Sequence, residues 1–358
     1  MTPTRAATRT PDELGRAWSE VLEREPRMRI RNAAGELGVS EAELLATRCG
    51  DGVRRIEADV AAILPRLEAL GELMALTRND TFVHERTGVY RNVEVTGHAA
   101  QVVDEEIDLR IFPGRWRHAF AVSDPTRGGT RRSLQFFDPH GEAVHKVYLT
   151  EASRVDRYEE LVEELLADDQ GRALEVEPRP APEESRPDEE VDVAALEKGW
   201  RALRDTHDFF RLLRRHEVAR TQALRLVPDG LARPASGEAL RTILEHASAD
   251  DIDLMIFVRS PGTFQIHHGP VDRIVETPPW LNVLDPRFNL HVREHEIAET
   301  WVVAKPVETG WVTSVEMYDE EGGLSALFFG CRTEGEPENR AWRELARGLP
   351  HPSPGGDS

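Results

Sequence analysis

The sequence predicts an α+β protein made of two tandem structural repeats, each a large antiparallel β-sheet flanked by helices, and three observations carry that prediction. The first is internal register. Ile107-Asp108-Leu109-Arg110-Ile111 is echoed by Phe288-Asn289-Leu290-His291-Val292, an offset of 181 (288 minus 107). The same offset carries Phe120-Ala121-Val122 onto Trp301-Val302-Val303, Ser133-Leu134-Gln135-Phe136-Phe137-Asp138 onto Ser314-Val315-Glu316-Met317-Tyr318-Asp319, and Gly141 onto Gly322. A register kept without net slippage implies two copies of one folding unit, so a group present in only one copy becomes a candidate for function. The second observation is that a helical pattern followed by an alternating pattern occurs twice along the chain. The third is size: 358 residues, 39% of them hydrophobic, suffice for two domain-sized cores.

Taken in order, residues 1–10 read as a disordered tail and residues 11–166 as the N-terminal repeat. Helices are expected over 11–72, where Pro11-Asp12-Glu13-Leu14 resembles a helix start and Ala42-Glu43-Leu44-Leu45 and Val60-Ala61-Ala62-Ile63-Leu64 carry apolar residues at helical spacing. From Leu73 to about Leu149 short alternating segments follow, among them Val89 to Val95, Ile107 to Phe112, Ala119 to Val122 and Leu134 to Phe137. Asp124-Pro125, Gly128-Gly129 and Asp138-Pro139-His140-Gly141 separate them, and strands joined by such short turns form an antiparallel meander. Residues 167–193 are acidic and Pro-rich without apolar periodicity, the pattern of an exposed, partly disordered linker. The C-terminal repeat, 194–348, has helices over about 194–248 and strands from Leu254 to Phe329, and residues 349–358 are expected to fray.

The formal net charge of -20 argues against general affinity for nucleic acid or for anionic membrane, so an acidic ligand needs a local basic pocket. No apolar run approaches the ~20 residues of a membrane span, and Met1-Thr2-Pro3-Thr4-Arg5-Ala6-Ala7 lacks the apolar core of a secretory signal. A cytoplasmic protein, not embedded in membrane, is therefore expected. Cys49 and Cys331 stand at non-matching positions of the two halves and offer neither a disulfide framework nor a redox pair, and both are expected to be buried thiols. His267-His268 and His291 with His295 have no acidic residue at a recognised ligand spacing.

Candidate chemistry lies where the second repeat begins. Leu196, Trp200, Leu203, His207 and Phe210 recur at helical spacing, which places His207 on an apolar stripe. Two readings fit: a core histidine satisfied by a carbonyl or by Asp205, or a ligand projecting into an apolar slot to make one axial bond to haem iron. The offset puts Pro26 opposite His207, so a ligand here means one site per chain. Arg211, Arg214, Arg215, Arg220 and Arg225 follow. They fit either the solvated face of a helix or a cluster holding two carboxylates through charge-assisted hydrogen bonds.

These residues carry a resemblance. Asp205-Thr206-His207-Asp208-Phe209-Phe210 followed by Arg220-Thr221-Gln222-Ala223-Leu224-Arg225-Leu226 resembles the HemS/ChuS/HmuS family of bacterial cytoplasmic haem-utilisation proteins, the haemin-degrading factors. Leu73 to Asn79, Glu106 to Arg110, Ser133 to Asp138 with His145-Lys146-Val147-Tyr148, Val303-Ala304-Lys305-Pro306, and Phe329-Gly330-Cys331-Arg332-Thr333-Glu334-Gly335 extend it over about 25–346. The resemblance implies one bound haem (iron protoporphyrin IX), with His207 as the proximal iron ligand in the C-terminal repeat. It implies that Arg110 lies on the distal side in a catalytic role, that Arg220 and Lys305 hold propionates or line the distal pocket, and that Phe329 is an aromatic pocket wall. Read without it, Arg110 is equally an outward-facing strand residue and Phe329 ordinary sheet core. Some family members carry a Tyr-Gln pair where this sequence has Ala326-Leu327, which removes two distal hydrogen-bonding side chains.

Two functions follow for a protein of haem uptake and iron acquisition. One is oxidative haem degradation, with electrons supplied from outside since no flavin or nicotinamide motif occurs. The other is a non-catalytic carrier or store that takes haem from an inner-membrane importer and hands it to a separate haem oxygenase.

Overall fold

The computed structural model describes residues 9–181, 185–332 and 335–352. Most of both expected tails, 1–8 and 353–358, and residues 182–184 of the expected linker lie outside the described residues, as do Thr333 and Glu334. The chain divides into two compact units. In chain order the first half gives α1 (Pro11–Arg24), α2 (Ile30–Leu37), α3 (Glu41–Ala46), β1 (Val53–Ile56), α4 (Val60–Leu67), β2 (Gly71–Arg78), β3 (Phe82–Gly88), β4 (Val93–Thr96), β5 (Ala99–Val103), β6 (Asp108–Ile111), β7 (His118–Thr126), β8 (Gly129–Phe137), β9 (Ala143–Ser153) and α5 (Val155–Glu164). The second gives α6 (Val193–Arg201), α7 (Asp208–His216), α8 (Arg220–Leu226), β10 (Ala232–Ala235), α9 (Ala239–Ala249), β11 (Leu254–Arg259), β12 (Thr263–Gly269), β13 (Ile274–Thr277), β14 (Trp280–Leu284), β15 (Phe288–Val292), β16 (Glu299–Val307), β17 (Gly310–Tyr318), β18 (Leu324–Gly330) and α10 (Arg340–Gly348).

The first unit holds the described residues up to 78, then 85–180 and 260–265. Its strands run β1-β7-β8-β9-β2, every neighbour antiparallel, with β4, β5 and β6 forming a second ladder. Alternation along β7 and β8 sends side chains to two faces. One packs Val53, Phe120, Val122 and Phe137 against Ala42, Leu45 and Ala46 of the helical N-terminal region. The other packs Ala121, Leu134, Phe136 and Val147 against Ile63 and Leu64 of α4 and Tyr158 and Val162 of α5.

The second unit holds 79–84 and the described residues of 181–259 and 266–358. It repeats the plan as β10-β16-β17-β18-β11 with β13-β14-β15. The repeat is literal: β16 and β17 begin and end 181 residues after β7 and β8 (299 minus 118, 318 minus 137). Phe120 opposite Gln135 becomes Trp301 opposite Glu316. The hairpin turns repeat too, with Gly129 and Gly310 at φ 127° and 131°, where a Cβ would be strained. Trp200 of α6 reaches the sheet from one side, donating from Nε1 to Ala304 O at 2.9 Å. Trp342 of α10 reaches it from the other, donating to Thr313 O at 2.9 Å. Both indoles are fully buried, which satisfies their polar ends while burying large apolar bodies. Residues 79–84 contribute Phe82 to this core, 6.3 Å from Phe328.

Three expectations need correction. Val53–Ile56 and Ala232–Ala235 fall in stretches read as helical, yet both are sheet-edge strands. Gly50 and Gly52, both at positive φ, break the helical region before β1, and Pro234 is tolerated because an edge strand need not donate from every residue. The helix expected to run from Leu196 through Phe210 ends at Arg201. Asp205 breaks it, its Oδ1 accepting the His207 N–H at 2.8 Å and so offering the backbone a bond that competes with the helix. Cys49 is buried, but Cys331 is only half-buried. Most described residues of 167–193 are exposed, and they are tied down at points: Glu177 N bonds Pro139 O at 2.8 Å, and Gln222 Nε2 bonds Asp188 Oδ1 at 2.8 Å.

Candidate functional site

In the second unit one sheet face is divided between covered and half-open parts. Trp301 stands opposite Glu316, Glu316 opposite Leu327, Leu327 opposite Phe257, and Phe329 opposite Met255. Directly opposed residues share a face, so Trp301, Val303, Lys305, Ser314, Glu316, Leu327, Phe329, Met255 and Phe257 all point to one side. Helices α6, α7 and α8 cover Trp301, Val303 and Tyr318 with Leu196, Trp200, Phe209, Leu212 and Leu224. Met255, Phe257, Leu327 and Phe329 remain half-buried, with the Phe257 and Phe329 rings T-shaped at 5.4 Å. Phe329 is thus half-buried on this apolar face and not part of the fully buried core.

Where the covered part meets this apolar part lies a charged cluster. Glu316 Oε1 accepts from Lys305 Nζ at 2.6 Å, Arg220 Nη2 at 2.7 Å and Ser314 Oγ at 3.0 Å. Its Oε2 accepts from Arg220 Nε at 2.8 Å and the Tyr318 hydroxyl at 2.5 Å. The Phe209 ring lies over both cations, 4.7 Å from Lys305 Nζ and 5.0 Å from Arg220 Cζ. Burial alone would raise the Glu316 carboxyl, but Arg220 and then Lys305 outweigh it and hold it well below the usual carboxylate range. Burial pushes the Lys305 ammonium down to about 8, opposed by the Glu316 charge.

Arg220 and Lys305 are therefore brought together, but by an internal carboxylate that the sequence reading did not include. Of the five arginines read as one cluster, only Arg220 turns inward. Arg211 pairs with Asp208, Arg225 with Asp188, and Arg214 lies 5.9 Å over the Phe210 ring.

His207 is not on a buried stripe. It is the N-cap residue of α7, and its side chain is 91% exposed. Its Nδ1 bonds Asp205 Oδ1 at 2.7 Å, and Nε2 has no hydrogen-bond partner among the described residues. A carboxylate on Nδ1 fixes the ring's orientation and favours the tautomer that leaves the Nε2 lone pair outward, the disposition of a metal-binding imidazole. The His207 backbone N–H, and after it the ring, hold the Asp205 carboxyl below its ordinary range. Phe210, on the same helix, is 63% exposed.

Arg110 belongs to the first unit, on β6 opposite Gln101. Its side chain is 41% exposed, and Nη1 bonds Asp108 and, at 3.2 Å, Leu109 O. His267 stacks on Phe288 at 3.7 Å and bonds Pro270 O at 3.0 Å, while His291 bonds Asn282 at 2.7 Å. Among the described residues no group of three or more His, Cys, Asp or Glu is placed to hold a metal ion.

Sequence reasoning missed Glu316, Tyr318, Phe209, Met255 and Phe257 as site residues. The signal for Glu316 lay in the repeat: its counterpart in the first unit is the uncharged Gln135, which bonds Ser133 at 3.1 Å. The matching face of the first unit keeps half-buried Met74, Leu76 and Tyr148 but is interrupted where Leu327 is replaced by Lys146, buried in an ion pair with Glu41.

Residues 38–165 and 217–349 match the haemin-degrading HemS.ChuX domain. The hemin transport protein HmuS of Yersinia pestis is 40% identical over 315 residues, 88% of this chain and 90% of that one. The hemin transport protein HemS of Yersinia enterocolitica is 40% identical over 322 residues, 88% and 92% of the two chains. The crystal structure of holo-PhuS, a heme-binding protein from Pseudomonas aeruginosa, is 46% identical with a TM-score of 0.93, covering 96% of this chain and 100% of that one. ChuS, an Escherichia coli heme oxygenase, is 36% identical with a TM-score of 0.84, covering 94% and 99%. The domain occurs once in each structural repeat, and with relatives this similar over nearly the whole length the chain belongs to the family of the haemin-degrading HemS.ChuX domain.

Proposed function

We propose that the protein binds one haem in its second unit through His207 and serves haem utilisation by passing that haem on. The observation that carries the reading is the exposed His207 imidazole, anchored at Nδ1 by Asp205 with Nε2 open. The residues of the second unit fit the ligand by kind. Met255, Phe257, Leu327 and Phe329 supply a half-buried apolar face for a porphyrin plane. Arg220 supplies a guanidinium for a carboxylate. His207 supplies a neutral nitrogen donor for iron. When bound, haem brings the iron and the redox chemistry. The chain's own residues orient it, shield one face and set its charge surroundings.

Delivery is favoured over degradation by Leu327 and Phe329, which give the ligand face no hydrogen-bond donor. Distal donors decide between oxygen activation and simple storage. The second reading, oxidative degradation with an external reductant, is supported by the 36% identity to a heme oxygenase and assigns Arg110 the catalytic role. A cytoplasmic location, an inner-membrane importer as source and a haem oxygenase as acceptor belong to the proposal. Among the described residues no helix is long and apolar enough to cross a membrane.

Haem-loaded protein incubated with ascorbate, oxygen and catalase separates the two. Delivery keeps the Soret band and moves haem to apomyoglobin. Steady Soret loss that Arg110→Ala abolishes would replace delivery with degradation.

A further inference from the structure

Glu316 is buried, saturated with donors and unused by the reading above. Its two oxygens take five hydrogen bonds from Arg220, Lys305, Ser314 and Tyr318, more than the four or so lone-pair sites of a carboxylate. Two cations and one anion leave the cluster a single net positive charge. The cations are not equivalent. The Lys305 side chain is 5% exposed, while Arg220 is 27% exposed. Arg220 commits Nε and Nη2 to Glu316, and its Nη1 has no hydrogen-bond partner among the described residues. Because Glu316 stands directly opposite Leu327, the cluster adjoins the apolar face across one strand spacing, about 4.8 Å.

We propose, resting on the haem reading, that Glu316 determines the charge specificity of the ligand site: it occupies Lys305 and two donors of Arg220, so the site offers one charge-assisted contact, at Arg220 Nη1, and takes one carboxylate. Lys305 is then the counter-ion of Glu316 and does not touch the ligand. A second ligand carboxylate brought to the same cluster meets the Glu316 charge in a poorly screened setting and is repelled. The first unit, with Gln135 at the corresponding place, holds no such device.

The test compares haemin with haemin dimethyl ester, whose two carboxylates are masked, on the full-length wild type, Glu316→Gln and Lys305→Met. The reading is the ratio of the two dissociation constants. Wild type prefers the free acid about tenfold, the worth of one charge-assisted hydrogen bond. Glu316→Gln, with two uncompensated cations, raises that preference toward about a hundredfold, and Lys305→Met, with none, lowers it toward unity. Should one variant fold poorly by circular dichroism, the other still decides, since the two shifts are opposite in sign. Equal ratios in all three proteins, or a lowered ratio in Glu316→Gln, overturn the proposal. Those outcomes leave the haem reading standing if the His207-dependent Soret shift persists, whereas loss of that shift removes the reading as well.

Discussion

Lys305 and Glu316 hold each other at 2.6 Å with side chains 5% and 0% exposed, on neighbouring strands of a sheet face whose next strand is apolar. A buried pair of this kind gains little over well-packed apolar residues, yet breaking it leaves an uncompensated charge. Glu316→Ala exposes Arg220 and Lys305 to each other with no anion between them. It should therefore destabilise the second unit by about 3–5 kcal/mol, read as a lower denaturation midpoint. The double variant Lys305→Met with Glu316→Leu removes the Lys305 charge and should recover part of that loss, with Arg220 still lacking its anion, and a double variant as unstable as Glu316→Ala would contradict the pairing.

Under the proposed function Asp205 acts on the ligand only through His207, to which it is joined at 2.7 Å. Asp205→Ala should leave the fold intact, because both side chains are exposed, and weaken haem binding by about 10–100-fold with the Soret position of a histidine complex retained. Unchanged affinity in a haemin titration would remove Asp205 from the site.

In the proposed site Phe329, half-buried against Phe257, belongs to the ligand face rather than to the core. Phe329→Ser should slow nothing in folding and cost under about 1 kcal/mol of stability, while the loss of its apolar contact raises the haem dissociation rate about tenfold. Stopped-flow transfer to apomyoglobin checks this. A large stability loss with an unchanged transfer rate would return Phe329 to the core.

The first unit carries a separate pH-sensitive element. His145 is buried between the Thr77 hydroxyl at 2.9 Å and the Tyr90 hydroxyl at 2.8 Å, and burial pushes its imidazole down to about 3. An unfolded imidazole titrates near 6.5. Between these values the unfolded chain holds a proton that the folded chain does not, so stability is fully present above about 6.5 and falls with pH below it, by at most about 1.4 kcal/mol per unit. His145→Phe should flatten that slope between pH 6.5 and 5 in urea unfolding, at the expense of stability at neutral pH. A variant with the wild-type slope would assign the effect to other histidines.

What was legible in the sequence was the repeated architecture. The offset of 181 between Ser133 to Asp138 and Ser314 to Asp319 reappears as two strands of identical length and register, because period-two alternation and turn glycines specify strands locally. The edge strands β1 and β10 were not legible: Arg54 and Arg55 beside Val53, and Pro234 within β10, blur a four-residue pattern. The helix break before His207 was missed because apolar spacing continues through it, whereas the stop comes from one Asp205 side chain bonding its own backbone. The family resemblance led to His207, Arg220, Lys305 and Phe329. It did not lead to Glu316, whose role depends on four partners spread from Arg220 to Tyr318 that only the fold assembles.

If His207 holds the haem iron as proposed, a haemin titration of wild type and His207→Ala followed in the Soret region separates the two proteins. A shifted Soret band saturating at one haem per chain is expected in wild type, and a band lost or moved in the variant. Indistinguishable spectra from the two proteins would contradict that role, leaving His207 an exposed helix-cap histidine and the site without its iron ligand.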